Sequence, residues 1–330
     1  MRIALTGAHV VLEDQIVHDG CVVIEDSTIA AVEEAGFEPD CPTQSLQGCW
    51  LLPGLIDLHC DVIEKDVEVR PGVYFPLQLA IELADRRCAM TGITTEFHGI
   101  SFGHQTRGLH NTALAADLVR QLRRQRESCH IDNRILLRYE IGDAHCVPTL
   151  IELINERCVD LFSFMDHTPA SQTFTAVESM LMRSGVIPAD STHSLTDDDN
   201  ADTTLHIVQR MRTLARLCHD KAIPIGTHDD KTIARLHTAA SLGATLSEFP
   251  HSAAIGHAAQ ARSITPLVGA PNAIRGESHL KWLDARSALA SGAATVLVSD
   301  YHPTLLLSSL FAVADSTELP LAAAVRSATL

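Results

Sequence analysis

The chain has 330 residues, 46% hydrophobic and 20% charged, enough for a large core: one α/β barrel of about 250 residues plus a small companion, or two ordinary domains. Lys and Arg number 25 against 41 Asp and Glu, and a formal charge of −16 argues against a nucleic-acid or anionic-membrane surface, which needs a basic patch. No apolar run reaches the roughly 18 residues of a membrane span, and the N-terminus turns acidic too soon for a secretory signal. Nine scattered cysteines without a CxxC suggest reduced thiols and a cytoplasmic setting rather than a disulfide framework. Against 3 Tyr and 2 Trp stand 18 His, a first sign of metal chemistry.

Residues 1–50 read as a small β unit. IALTGAHVVL, CVVIED and TIAAVEE are β-rich runs broken at turn residues, and EPDCPTQSLQGC reads as a loop. From Trp50 onward short apolar runs alternate with helical patterns. Eight candidate strands follow in order: WLLPGLIDLHC, GITTEFHGI, NRILLRYEI, VDLFSFMDH, AIPIGTHD, ATLSEFP, ITPLVGA and ATVLVSD. Helical segments such as FPLQLAIELADRRCAM, NTALAADLVRQLRRQRES, VPTLIELINER, ADTTLHIVQRMRTLARLCHD and KTIARLHTAASLG lie between them. Eight strands alternating with helices predict a (β/α)8 barrel over 51–330, with 1–50 as part of a β-sandwich. An open doubly wound sheet is the competing architecture, but no GxGxxG follows an early strand. The interval 169–199, ending in TDDDN, reads as an inserted flap.

Chemistry in such barrels collects at the C-terminal strand ends. Asp57, His59 and Asp61 alternate on strand one and can converge on one face. Glu96 and His98 mark strand two, Arg138 and Glu140 strand three, and Asp166 and His167 strand four. His228, Asp229 and Asp230 close strand five, Glu248 marks strand six, and Ser299 and Asp300 close strand eight. Any one of these histidines could be an ordinary hydrogen-bonded residue. His59, His167 and His228 with Asp61, Glu140 and Asp300, on separate strand ends, instead fit one or two divalent ions with a position open for water. Cys60, between two of these residues on a strand, reads as core. His104, His110, His130, His145, His193, His206, His219 and His237 fall in loops or helices without a matching face, and His251 and His257 stay ambiguous.

LLPGLIDLHCD, with its Pro-Gly before paired candidate ligands, resembles the first barrel strand of the amidohydrolase superfamily. GITTEFHGISFG, RYEI, MDHTPASQTF, HDD, SEFP, GAPNAIRGESH and SDY extend the resemblance, in order, to a branch serving phosphonate catabolism. The resemblance implies metal ligation by His59, Asp61, Glu140, His167, His228 and Asp300. It implies one or two divalent ions, zinc first and manganese or another as alternatives. It further implies hydrolysis of a phosphoanhydride in a ribose 1-phosphonate 5-triphosphate with release of pyrophosphate, Asp300 orienting the water and accepting its proton. Three departures stand out. His59-x-Asp61 replaces the superfamily's HxH, as in the phosphonate branch; Glu248 occupies the usual strand-six His position; and His98 stands where that branch is expected to carry Asp, a change that could retune substrate contacts. The chain stops at SATL, and the expected closing segment of the β-sandwich, with an AxPGKxADLV-like ending, is absent.

A small phosphorylated substrate on an acidic protein needs local cations. Lys65, Arg70, Arg138, Lys231 and Arg275 are the candidates, Arg275 foremost because barrel phosphate sites often follow strands seven and eight. Nucleic acid and membrane are not expected partners, and self-association into a homo-oligomer is compatible with the chain. Two rival readings remain: an amide or cyclic-amide hydrolase using the same metal site, and a non-catalytic subunit that kept the fold.

Overall fold

The computed structural model describes residues 1–103, 109, 111–189, 201–277 and 282–329. The N-terminal sheet contains β1 (Arg2–Val11), β2 (Ile16–Glu25), β3 (Thr28–Glu33), β4 (Thr43–Ser45) and β5 (Trp50–Leu51). Its order is β3-β2-β1-β4, with β5 also pairing β1. The segment expected as a loop over 38–49 thus carries β4, whose three residues pair in parallel with Ala4–Thr6 of β1. So short and exposed a strand has no alternation to read.

Eight parallel strands form the second sheet: β6 (Leu55–Cys60), β9 (Ile93–Phe102), β10 (Asp132–Glu140), β11 (Leu161–Met165), β12 (Ile225–His228), β13 (Leu246–Glu248), β14 (Thr265–Gly269) and β15 (Val296–Val298). Each matches one of the eight expected runs. A two-stranded hairpin, β7 (Glu68–Arg70) with β8 (Val73–Tyr74), stands apart after β6. The sheet closes where Cys60 bridges Asp300 in parallel.

Helices alternate with the strands: α1 (Ile63–Val67), α2 (Leu77–Met90), α3 (Thr112–Gln125), α4 (Val147–Asn155), α5 (Gln172–Arg183), α6 (Ala201–Asp220), α7 (Ile233–Ser241) and α8 (Ala253–Gln260). The set ends with α9 (Ala270–Arg275), α10 (Ala285–Ala290), α11 (Leu306–Ser316) and α12 (Leu321–Arg326). Much of the expected flap is therefore α5, whose Phe174, Val177 and Leu181 are buried in the main apolar core. Its last part, 190–199, lies outside the described residues, as do His104, His110 and His193.

Both faces of the barrel sheet are covered, and β10 shows the consequence. Seven of its nine residues are buried, with Leu137 and Tyr139 turned into the helical layer and Arg138 turned to a central cavity. Tyr139 packs on Phe162 and Phe164 at ring-centroid distances of 6.3 and 6.2 Å. Burial of each such ring contributes about 1.5–3 kcal/mol, which holds the strands in register under the site. Among the described residues no helix is long and apolar enough to cross a membrane.

Candidate metal centre

Three imidazoles converge at the C-terminal mouth of the barrel. The rings of His59 and His228 stack at 5.7 Å between centroids, and His167 meets His228 edge-on at 5.5 Å. Glu248, fully buried on β13, places Oε2 2.9 Å from His228 Nδ1 and 3.3 Å from His59 Nδ1. Burial works against its charge, yet the His59 and His228 imidazoles outweigh it and hold the carboxyl well below the usual range. Burial likewise lowers His228, whereas for His59 the facing Glu248 overcomes burial and raises it. Glu140 accepts from the ring Nδ1 of His167 and, at 3.1 Å, from its backbone amide. The His167 ring, held through Nδ1, presents Nε2, and that atom and both ring nitrogens of His59 are buried without a hydrogen-bond partner.

The carboxylates are held on the same rim. Asp61 Oδ2 lies 3.4 Å from Arg138 Nη1, while its Oδ1 is buried and unpartnered. Burial pushes Asp300 up to about 7. Asp229 lies close enough to His167 and His228 to share an ion with them, its Oδ1 3.7 Å from His228 Nε2. His59, His228 and Glu248 form a second such group. Asp229, Phe249 and Asp300, each just beyond a strand end, have φ of 56°, 58° and 61°. Non-glycine residues in this left-handed region cost on the order of 1–3 kcal/mol each, and such strain concentrates at functional sites.

These groups surround a cavity of about 590 Å³. Among the described residues its walls carry five carboxyl groups, Asp61, Glu64, Glu68, Asp229 and Asp300, against three cations, Lys65, Arg138 and Arg275. Phe249, Pro250, Trp282 and Leu283 form an apolar side. Lys65 Nζ sits 5.7 Å from the centre of the Tyr301 ring. Excess carboxylates, convergent imidazoles and unpartnered buried nitrogens fit a divalent cation.

The structure brings together five of the six expected ligands directly, His59, Asp61, His167, His228 and Asp300, and sets Glu140 against the His167 ring. Of the expected substrate cations, Lys65, Arg138 and Arg275 line the cavity. Arg70 does not: it is exposed on β7, in a hairpin the sequence reading left unassigned. Lys231 does not either, its Nζ donating to Ser171 Oγ at 2.9 Å. Asp57 fails to converge with His59 and Asp61, because β6 is irregular there and its carboxyl turns to the Ser299 amide at 3.0 Å. Glu96 and His98 sit mid-strand rather than at the strand end. His98 Nε2 meets Asn133 Oδ1 at 2.7 Å, and the ring lines no part of the cavity, so the expected retuning of substrate contacts has no geometric basis.

Asp166 and Asp230 are structural partners, the first accepting from the amides of Thr168 and Phe174 and the second from Thr227 Oγ1. His251, left ambiguous by sequence, stacks on Trp282 at 3.5 Å. The sequence reading did not single out Glu64, buried, pushed up to about 7 by its burial and accepting from the Ser101 amide at 2.9 Å. Nothing in the one-turn helix α1 signals it. Asp229 and Glu248 were visible as polar residues at strand ends, a signal strong enough to have placed both in the set.

No family model matches the chain. It is 29% identical over 323 residues to the α-D-ribose 1-methylphosphonate 5-triphosphate diphosphatase of Escherichia coli (strain K12), spanning 94% of this chain and 83% of that protein. In fold it resembles a Xaa-Pro dipeptidase (TM-score 0.61, 10% identity, 99% of this chain and 87% of that one). It also resembles the N-isopropylammelide isopropylaminohydrolase of Burkholderia multivorans (TM-score 0.60, 14% identity, 99% and 85%). A third is the N-acetylglucosamine-6-phosphate deacetylase of Pasteurella multocida (TM-score 0.60, 11% identity, 99% and 88%). These likenesses bear out the resemblance expected from the sequence: the chain shares the barrel fold of these proteins and much of its length with that diphosphatase.

Proposed function

We propose that the chain is a metal-dependent diphosphatase that cleaves the α–β phosphoanhydride of a ribose 1-phosphonate 5-triphosphate. The products are the corresponding 5-phosphate and pyrophosphate. The observation that carries the reading is one cavity lined by His167 and His228, with His59 stacked behind His228, beside Lys65, Arg138 and Arg275. The 29% identity to a protein bearing that activity supports it. His59, His167 and His228, with Asp61, Asp300 and the neighbouring Glu248 and Asp229, would hold one or two divalent ions. Glu140 would steady the His167 ring. Zinc suits these nitrogen and oxygen donors, with manganese the alternative. A bound ion supplies Lewis-acid polarisation and an acidified water.

The chain's own residues do the rest. Lys65 and Arg275 grip polyphosphate oxygens from the mouth, and Arg138 reaches them from the barrel wall. Asp300 orients the attacking water and accepts its proton as the oxygen bonds to the α-phosphorus. The electron pair of the broken anhydride bond leaves with pyrophosphate. Trp282 and Leu283 limit bulk water around the reacting bond. The reading places this chemistry on a barrel spanning 51–330, with 1–50 a companion sheet, in a cytoplasmic enzyme acting on a small phosphorylated molecule.

The test is metal analysis of the purified protein together with pyrophosphate release from ribose 1-methylphosphonate 5-triphosphate. Turnover of dihydroorotate or a hydantoin, with none of the triphosphate, would transfer the site to amide chemistry.

A further inference from the structure

Below the cavity, between β6, β9 and α2, lies a second cluster that the hydrolytic reading does not use. Asp57, Cys60 and Glu96 each offer one donor atom within 4.8 Å of the others. All three residues are 0% exposed. Cys88 of α2, equally buried, brings its Sγ to 3.6 Å from Glu96 Oε2. Asp57 Oδ2 and Glu96 Oε1 are buried with no hydrogen-bond donor. No Lys, Arg or His pairs with either carboxyl among the described residues, and the adjacent Arg87 is committed to both oxygens of Asp66 at 2.7 and 3.0 Å.

Two carboxyl groups in so dry a place cannot both stay charged unless a cation joins them. A shared proton, with the Cys88 thiol donating to Glu96 Oε2, is the metal-free arrangement of the same side chains and the rival that the experiment must separate. Two sulfur and two oxygen donors around a tetrahedral zinc, with bonds of about 2.3 and 2.1 Å, lie about 3.4–3.8 Å apart. The Cys88–Glu96 separation already falls in that range, and Asp57, Cys60 and Glu96 place donors within 4.8 Å of one another; Cys88 stands outside that trio and would have to turn its thiol toward Cys60 to complete the set. With both thiols ionised the site would carry the charge of an ordinary four-cysteine zinc site, and the displaced protons would leave to solvent. Asp57 Oδ1 is meanwhile fixed by the amides of Ser299 and His59, at 3.0 and 3.3 Å.

We propose that Asp57, Cys60, Cys88 and Glu96 form a second, closed metal site that takes a thiophilic divalent cation such as zinc and pins the barrel seam beneath the hydrolytic centre. This does not depend on the substrate assigned above. The hydrolytic centre offers only nitrogen and oxygen donors, so a sulfur-to-metal signal separates the two.

The experiment is to express the full chain in cobalt-supplemented medium, in a Cys49→Ser background that removes the exposed thiol. After desalting, the near-ultraviolet thiolate-to-cobalt charge-transfer band and cobalt per chain are read. The expected result is a band that survives His59→Ala and disappears in Cys60→Ser and Cys88→Ser, with the loss of about one cobalt per chain. Should one cysteine variant fail to fold, the spectrum of the parent protein decides. Cobalt bound without any charge-transfer band, or a cobalt count unchanged in a folded Cys60→Ser, would overturn the site and leave Asp57 and Glu96 sharing a proton.

Discussion

Asp61 and Asp300 are joined through the backbone across the barrel seam, the Asp61 amide donating to the Asp300 carbonyl at 2.9 Å. The Asp300 amide in turn donates to the His59 carbonyl, also at 2.9 Å. Residues 239 positions apart in sequence therefore occupy one corner of the site as a direct result of barrel closure. The left-handed turn at Asp300 follows from the same closure, since the chain must leave β15 sharply to make both bonds. The seam therefore fixes the first-strand and last-strand members of the centre against one another, and it does so with backbone rather than with side chains.

His59→Ala or His228→Ala should abolish hydrolysis and lower bound metal while leaving the fold intact. The barrel core has many other contacts, and each imidazole acts chiefly through the ion. Metal analysis, turnover and far-UV circular dichroism measure the three parts. Full metal content together with full activity in either variant would remove that histidine from the centre.

Glu140→Gln should lower activity by about 10–100-fold, the usual loss when the partner that orients a ligand histidine is weakened. The fall should accompany weaker metal retention against a chelator, because His167 loses the carboxylate on its Nδ1. A variant with unchanged retention and rate would mean that the ring is held by packing alone.

Gly226→Ala probes the same support from the backbone. A methyl group at Gly226 would sit 3.1 Å from Glu248 Oε1, and Glu248 cannot retreat without leaving both His59 and His228. Activity should fall more than stability, read as kcat/KM against the urea midpoint. Loss of stability with full activity in the surviving folded fraction would contradict this.

The barrel was legible because all eight strands are apolar runs punctuated by helical periodicity, and most of the site because polar residues stand out at the ends of such runs. What stayed hidden depends on local geometry that a repeat of two cannot express. Alternation places Asp57 beside His59, yet the irregularity in β6 turns it away to Ser299. The span of β9 runs on to Phe102, so Glu96 and His98, apparent end residues, are buried in mid-strand. Helix α5 was read as a flap because the long interval around it masked its apolar face. Arg70 and Lys231 show the limit of charge counting. Both sit near candidate ligands in sequence, but a hairpin carries one out to solvent and Ser171 takes the other.

Asp85 should make stability depend on acid pH. Burial alone would raise its carboxyl, but hydrogen bonds from the amide and ring of His130, from Asn133 and from the Ile131 amide outweigh burial and lower it. A folded-state value below the unfolded one means that the stabilisation is complete above the ordinary carboxylate range, near pH 4, and is lost as pH falls through the folded value. Asp85→Asn should therefore cost about 1–3 kcal/mol at pH 7, with the gap to wild type closing in acid. Urea unfolding of both proteins at neutral and acid pH reads this directly. A gap independent of pH would show that the loss comes from packing and not from the charge.

Arg275 separates phosphate from amide chemistry. It closes α9 on the cavity wall, exposed and able to swing onto a polyphosphate, and its guanidinium, always protonated, is no metal ligand. Arg275→Ala should raise KM for the triphosphate, or lower kcat if the contact tightens in the transition state, by about 10–100-fold for the loss of one charged contact of 1.5–3 kcal/mol. Arg275→Lys should recover only part, because a point charge cannot reproduce a bidentate fork. Metal content should stay constant across the series, since guanidinium does not coordinate. Added salt should weaken substrate binding to wild type more than to Arg275→Ala, one screened attraction having already been removed. Steady-state kinetics over a salt series measure all of these together. Equal kinetics for wild type and Arg275→Ala would take the residue out of the site and leave Lys65 and Arg138 as the cations on the cavity wall among the described residues, a pair better suited to the single carboxylate of an amide substrate than to a triphosphate.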